Sequence, residues 1–84
     1  MATSHYVGEI DNLATIRPGE EFEIVRSLLD DAEHRQRFMP GKRWSCRYTG
    51  DTIILLVNHT GQTISVRRDV ARYVEVQRTR PRSR

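Results

Sequence analysis

The sequence contains few residues that could cross-link or anchor a fold. It has one cysteine in 84 residues, Cys46, so an intramolecular disulfide is excluded. The three histidines lie far apart with no spacing typical of metal ligands, so we expect no metal site and no cofactor. No apolar run approaches the ~20 residues of a membrane-spanning helix, and the first residues lack the basic and apolar regions of an export signal. We therefore expect a cytoplasmic protein that does not contact a membrane.

The patterns of a catalytic site are also missing. The glycines at 41, 50 and 61 are isolated turn residues, so there is no glycine-rich phosphate-binding loop. The one candidate nucleophile, Cys46, lies between Trp44 and Tyr48 on a predicted strand, where the alternation places all three side chains inward. A buried thiol is unreactive. We therefore expect a protein that is not an enzyme.

What the sequence does contain is an uneven distribution of charge behind a formal net charge of +3. Residues 1–42 hold eight acids and five bases, whereas residues 43–84 hold three acids and nine bases. Thirteen of the 14 bases are arginine. A GC-rich genome produces this bias without selection, but the planar guanidinium also suits phosphate and carboxylate. The charge asymmetry is the strongest functional indication in the sequence.

The second half of the chain has the pattern of short antiparallel strands. Apolar and polar residues alternate in two of its segments, and a third segment is continuously apolar, which is typical of a buried strand. Glycine-containing turn signals separate these segments, and a short helical turn precedes the last strand. The predicted strands, turns and helical turn lie, in chain order, at residues 44–48, 49–51, 52–57, 59–61, 62–67, 68–71 and 73–77.

The first half admits two interpretations. Phe22, Ile24 and Leu28 share one face at the strand period of two, but Phe22, Val25 and Leu28 also fit a helix. We favour a strand followed by a polar, partly helical excursion at residues 28–38. The alternative fold class is α+β, with one helix at residues 20–38 packed on an antiparallel meander.

The order of elements resembles the Src-homology-3-like small barrels, including their branch associated with nucleic acids and ribosomes. The resemblance covers residues 18–77 and depends on Pro18-Gly19 at a strand start, the long polar excursion, two tight hairpins and a closing strand-turn-strand at 66–76. It implies a mainly β fold, a barrel of about five antiparallel strands. The remaining residues are then an N-terminal extension at 1–17 with a short strand, and a disordered arginine-rich tail at 78–84.

The peptide-binding members of these barrels have features that this sequence lacks. Its first loop has no aromatic residue before Phe38, Trp44 falls on the wrong strand, and Val70 stands where a proline is expected, although Tyr73 matches in position. The resemblance therefore does not imply a proline-peptide groove.

Nucleic acid is the partner that the charge pattern favours. The strand pattern places three arginines outward from neighbouring strands, two on the terminal turn and two in the tail, where they would neutralise phosphates without reading sequence. Trp44 and Tyr48 would add base stacking only if exposed. The predicted nucleic-acid-binding residues are Arg43, Arg47, Arg67, Arg68, Arg72, Arg78 and Arg80.

The alternative function is a protein-binding adaptor or inhibitor, of the kind that phages and plasmids encode. It would act through the acidic segment 20–38 or through an edge strand. An edge strand would also permit a homodimer, and nothing in the sequence decides the oligomeric state. The predicted protein-binding residues are Glu20, Glu21, Asp30, Asp31 and Glu33.

Overall fold

Six strands form one antiparallel sheet in the computed structural model, which describes residues 10–79. The strand order is β1-β6-β2-β3-β4-β5. The mainly β, barrel-like fold class predicted from the sequence is confirmed, with six strands instead of about five. The elements are β1 (Asp11–Asn12), a 3-10 helix (Leu13–Thr15), β2 (Glu21–Ser27), α1 (Ala32–Arg37), β3 (Arg43–Thr49), β4 (Ile53–Val57), β5 (Thr63–Arg67), α2 (Arg68–Ala71) and β6 (Val74–Arg78).

The core forms because every long strand places alternate side chains on the same face of the sheet. Each fully buried aliphatic or aromatic side chain contributes about 1.5–3 kcal/mol. No polar or charged residue among those described is buried. Four strands each bury two residues that are two positions apart, and β5 buries Val66 alone. The buried strand residues are Phe22, Ile24, Trp44, Cys46, Ile54, Leu56, Val66, Val74 and Val76.

Residues 21–27 form a strand, so the alternative of one helix over 20–38 is wrong. β2 pairs with both β3 and β6, and tertiary pairing therefore decides a segment whose apolar residues fit both periods. A register shift between Ile24 and Arg26 interrupts the alternation, and Leu28 beyond the strand end is exposed. The predicted helical excursion is present as α1, which packs through Phe38 at its C-terminal end.

Tyr48 points outward, which corrects its predicted inward orientation. A β-bulge in β3 places Cys46 opposite Leu56 but Tyr48 opposite Leu55. The extra residue, Arg47, moves every following side chain to the other face of the sheet. Trp44 and Cys46, which precede the bulge, are buried as predicted.

Both ends of the described chain extend the packed domain beyond the predicted 18–77 boundaries. Leu13 and Ile16 are buried in the core, and β1 pairs with β6. Arg78 is the last residue of β6 and therefore does not belong to a disordered tail, contrary to the prediction. Within the predicted N-terminal extension, Asp11–Asn12 form β1, and residues 1–9 lie outside the described residues. The predicted tail after Thr79 also lies outside them.

The turns follow the sequence signals. Gly19 and Gly41 have φ of 91° and 93°, a backbone conformation that favours glycine, and each ends a Pro-Gly pair before a strand. None of the helices within residues 10–79 combines the length and apolar composition needed to cross a lipid bilayer.

Candidate nucleic-acid interface

The three strands β3, β4 and β5 contain no aspartate or glutamate. Cross-strand pairing places Tyr48 beside Leu55, and Ile53 beside Arg67, on the solvent side of the sheet. We call this surface the acid-free face. Its side chains are Arg43, Ser45, Arg47, Tyr48, Ile53, Leu55, Val57, Thr63, Ser65 and Arg67.

Three of the predicted arginines lie on the acid-free face. Arg47 and Arg67 stand on β3 and β5, the two strands on either side of β4. Arg43 lies at the opposite end of β3, where its Nε is 3.8 Å from a carboxylate oxygen of Glu23 on β2. Among residues 10–79, no carboxylate lies within ion-pair distance of Arg47.

Two further predicted arginines, with Arg67, line a cleft of about 440 Å³ between α2 and the β3–β4 turn. Arg67 pairs with Asp69 at 2.8 Å, and both side chains are largely exposed. Arg72 is exposed and has no ion-pair partner in the described part of the chain. Asp51 also lines this cleft, so the cleft contains charges of both signs and is only slightly positive.

Arg68 connects parts of the backbone that are distant in sequence. Its Nη1 donates to the carbonyl of Gly50 at 3.4 Å, and its Nη2 donates to the carbonyl of Ala14 at 3.2 Å. The guanidinium therefore joins α2 to the β3–β4 turn and to the 3-10 helix. Arg68 is half-buried, and these bonds give it a structural role in addition to its place in the cleft.

Arg78 lies away from the other predicted arginines and is committed to the fold. It forms ion pairs with Asp11 at 2.6 Å and with Glu20 at 3.0 Å, and its side chain is 32% exposed. Partial burial lowers the pKa of Arg78, but the hydrogen bonds to the two carboxylates offset this and raise it above its ordinary value. Its two ion pairs hold Arg78 in the fold, and its part in nucleic-acid binding stays a prediction, while Arg80 lies outside the described residues.

The predicted acidic surface is divided between the two ends of β2. Glu20 and Glu21 lie at the start of the strand, whereas Asp30, Asp31 and Glu33 follow its end. A seven-residue strand spans about 20 Å, so these carboxylates do not form one surface. Glu20 is only 17% exposed in its ion pair with Arg78.

Asp31 caps helix α1. Its side chain accepts a hydrogen bond from the His34 backbone N–H at 2.9 Å and contacts the imidazole Nδ1 at 2.8 Å. The backbone hydrogen bond, followed by the contact with the ring, lowers the pKa of Asp31 below its ordinary value. The position of the Asp31 carboxylate is therefore explained by its role as the N-cap of α1.

Tyr48 is the residue whose role the sequence pattern missed. The residue is 54% exposed and lies next to Arg47 on the acid-free face. The ring lies against Gly50, where an added Cβ would come within 3.1 Å of the Tyr48 ring and hydroxyl. No feature of the sequence marks the bulge at Arg47 that produces this orientation, whereas Thr49-Gly50-Asp51 did indicate the turn.

Cys46, the one candidate nucleophile, is buried in the structure. Burial raises the pKa of the Cys46 thiol, which keeps it protonated, and the Sγ donates a weak hydrogen bond to the Tyr48 carbonyl at 3.8 Å. Within the described residues, no three histidine, cysteine, aspartate or glutamate side chains come together in a way that could hold a metal ion. Trp44 is 3% exposed and cannot stack with a base.

No protein-family model matches the chain, and no curated protein matches it. Among solved structures, the chain is similar to a crystal structure described as that of an iron uptake regulatory protein, FeoA. The TM-score is 0.68 at 17% sequence identity, and the match covers 83% of this chain and 99% of the other. The fold is a small Src-homology-3-like barrel. At this identity the likeness shows the fold alone and carries no information about what the acid-free face binds.

The described sheet ends at β5, which has a neighbour on one side only. Arg68 N–H donates to the Thr52 carbonyl and Asn58 N–H to the Gln62 carbonyl, so the even-numbered residues between them bond to β4. The backbone groups of Thr63, Ser65 and Arg67 therefore face away from β4. The homodimer through an edge strand stays a prediction.

Proposed function

We propose that this protein is a small non-enzymatic binding module whose acid-free face contacts nucleic acid. The observation that carries the proposal is the projection of Arg43 and Arg47 from β3 and of Arg67 from β5, on a surface of three strands that contain no carboxylate. Contacts of arginine to phosphate supply affinity that depends on salt and not on base sequence. Arg72, at the adjacent cleft, adds a fourth cation.

The counter-charges near these arginines are weak competitors for a polyanion. Arg43 and Arg67 each have one carboxylate partner, and both pairs are exposed to solvent. Exposed ion pairs contribute only about 0–1 kcal/mol, so phosphate can replace the carboxylate at little cost. Arg47 and Arg72 have no such partner among the residues described, which leaves their guanidinium donors directed to solvent.

The test is a salt titration of binding to duplex DNA, single-stranded DNA and RNA by fluorescence anisotropy. Four phosphate contacts predict a slope of log K against log salt of about −3.6 on duplex, because each contact contributes about −0.9. Replacing Arg47 and Arg67 together by glutamine should make the slope shallower by about 2. Undetectable binding to all three nucleic acids at low salt contradicts the proposal.

Two control variants separate the face from the rest of the chain. Arg26→Gln removes an arginine that pairs with Glu75 at 2.8 Å on strands β2 and β6, and it should leave the slope unchanged. Replacing Arg80, with the two arginines after it, by glutamine tests the tail. If the tail variant abolishes binding while the Arg47 and Arg67 variant does not weaken it, the acid-free face is not the site.

A protein partner at the edge of β5 is the second candidate. It is favoured by the backbone groups of Thr63, Ser65 and Arg67, which face away from β4 and have no partner strand within residues 10–79. These groups could accept a strand from another protein or from a second copy of this chain. The solved structure with a similar fold is described as a regulatory protein, and a regulatory role through such a contact is consistent with that description.

Ser65→Pro tests this second candidate. Proline removes the outward N–H and is tolerated on edge strands, so the fold should persist. Self-association, measured by sedimentation equilibrium, and capture of a partner should both be lost, while Ser65→Thr should retain them. A Ser65→Pro variant that associates as the original chain does contradicts the edge contact.

A further inference from the structure

We infer that the acid-free face prefers single-stranded nucleic acid to duplex, because it can stack an unpaired base on the ring of Tyr48. The inference rests on the proposed function, since it concerns the same face. Arginine contacts alone give no such preference, because both forms carry phosphates. The preference depends on the apolar part of the face.

The Tyr48 ring has the position of a stacking platform. Slightly more than half of the residue is exposed, and the ring lies close to Gly50, where an added Cβ would come within 3.1 Å of it. Support by backbone limits the orientations of the ring, so less entropy is lost when a base stacks on it. Every base has a π-face, so this contact tolerates any sequence.

An apolar row on β4 continues the platform. Leu55 is the cross-strand partner of Tyr48, and Ile53 and Val57 lie on either side of it on the same face. Ile53 is 38% exposed, and the other two are half-buried. An apolar row of this kind contributes nothing to phosphate binding, but it offers contact to a base that has been displaced from a stack.

The arginines are placed to hold the backbone on both sides of this row. Arg47 precedes Tyr48 on β3, and Arg67 pairs with Ile53 from β5. A strand crossing the face would therefore contact cations at its two edges and apolar side chains between them. In a duplex the base faces are stacked inside the helix, so only the arginines would make contact.

The described helices do not offer another mode of duplex recognition. α1 has six residues and α2 has four, and recognition of a major groove commonly uses a longer exposed helix. The sheet face is therefore the surface of the described chain that suits nucleic acid best, and it suits an unpaired strand.

The experiment compares oligo(dT), oligo(U) and a duplex of equal length by fluorescence anisotropy at one salt concentration. The unmodified chain should bind the single strands at least about fivefold more tightly than the duplex. Tyr48→Ala should weaken binding of both single strands by about fivefold or more and change duplex binding by less than about twofold. The salt slope should not change, since no charge is removed.

Three variants make the result specific. Tyr48→Phe keeps the ring and should retain the preference. Gly50→Ala displaces the ring by a few tenths of an ångström and should give an intermediate loss. Tyr73→Ala removes a similarly exposed tyrosine that is not on β3, β4 or β5, and it should have no effect. Thermal denaturation followed by circular dichroism verifies that each variant is folded.

The outcomes separate this inference from the proposed function. Equal affinity for single strands and duplex, with no effect of Tyr48→Ala, overturns the stacking inference and leaves the phosphate-binding proposal intact. Absence of binding to all three probes overturns both. A preference for oligo(U) over oligo(dT), or the reverse, that disappears in Tyr48→Ala supports stacking and also identifies the type of nucleic acid.

Discussion

The two halves of the sheet use charge in opposite ways. Strands β1, β2 and β6 carry four carboxylates, and the two arginines on these strands, Arg26 and Arg78, both form ion pairs within this half. Strands β3, β4 and β5 carry three arginines and no carboxylate. The arginines of the first half therefore find their carboxylate partners within that half, whereas Arg43 and Arg67 of the second half find theirs outside its strands. A surplus of arginine in a sequence does not by itself locate a binding surface.

The difference is clearest for Arg78 and Arg47. Both belong to the basic second half of the sequence, and both were predicted to bind nucleic acid. Arg78 contacts Asp11 and Glu20, which come from the acidic first half of the chain. Arg47 stands on a bulge with no such neighbour among the described residues. The antiparallel pairing of β6 with β1 and β2 thus removes one arginine from the charge available to a partner.

The largest expected effect is on stability, from removing Arg78. Arg78→Ala leaves Asp11 and the poorly exposed Glu20 without their shared cation, and we expect the free energy of unfolding to fall by about 1–2 kcal/mol. This loss of free energy is small for the removal of a hydrogen-bonded charge because the Arg78 side chain is partly exposed to solvent. Urea denaturation measures it.

Arg47→Ala is the matched variant for this measurement in the other half. It should change the free energy of unfolding by no more than about 0.5 kcal/mol, as is usual for an exposed side chain without special contacts. Equal losses in the two variants would show that the halves do not differ in their use of charge.

A smaller effect, on the affinity for nucleic acid, is expected at the pair of Glu23 and Arg43, where the two halves of the sheet meet. Glu23→Gln removes the carboxylate 3.8 Å from Arg43, and this exposed pair contributes little to stability. The variant should bind oligo(dT) about two- to threefold more tightly, because one more arginine is available to phosphate. Glu75→Gln, which affects the Arg26 pair inside the first half, is the control and should not change affinity. Unchanged affinity in Glu23→Gln would mean that Arg43 is not part of the interface.

The smallest effect concerns a charge outside both halves. The pKa of Asp31 is lowered in the folded protein, so its charge stabilises the fold above its ordinary pKa of 3.8, and this contribution is lost as the pH falls through the folded value. Asp31→Asn keeps an acceptor for the helix cap but removes the charge. Its free energy of unfolding should therefore depend less on pH below about pH 5 than that of the original chain, as measured by urea denaturation. An identical pH dependence would show that another group is responsible.

The sequence was informative wherever local pattern and tertiary environment agree. The segments that became β3, β4 and β5 alternate or are continuously apolar between glycine turns, and both hairpins lie where these signals placed them. Leu13 and Ile16 were missed as core residues because their segment is too short to display a period. The helical alternative for residues 20–38 was wrong because strand pairing, which no local pattern records, decides between two acceptable periods.

The candidate site was less accessible to prediction than the fold. Strand parity placed Arg43, Arg47 and Arg67 outward, as they are in the structure. It placed Tyr48 inward, since a bulge adds one residue without any change in the pattern of residue types. It also could not show which arginines have a carboxylate neighbour, because partners such as Arg78 and Asp11 are 67 residues apart.

The sequence by itself determined the strand-forming segments, the turns between them and the total charge of the chain, because these follow from residue type and short-range spacing. The tertiary structure alone decided which charges neutralise one another and which aromatic ring faces solvent. Both depend on cross-strand register, which brings together residues that are distant in the chain and which one extra residue in β3 is sufficient to change.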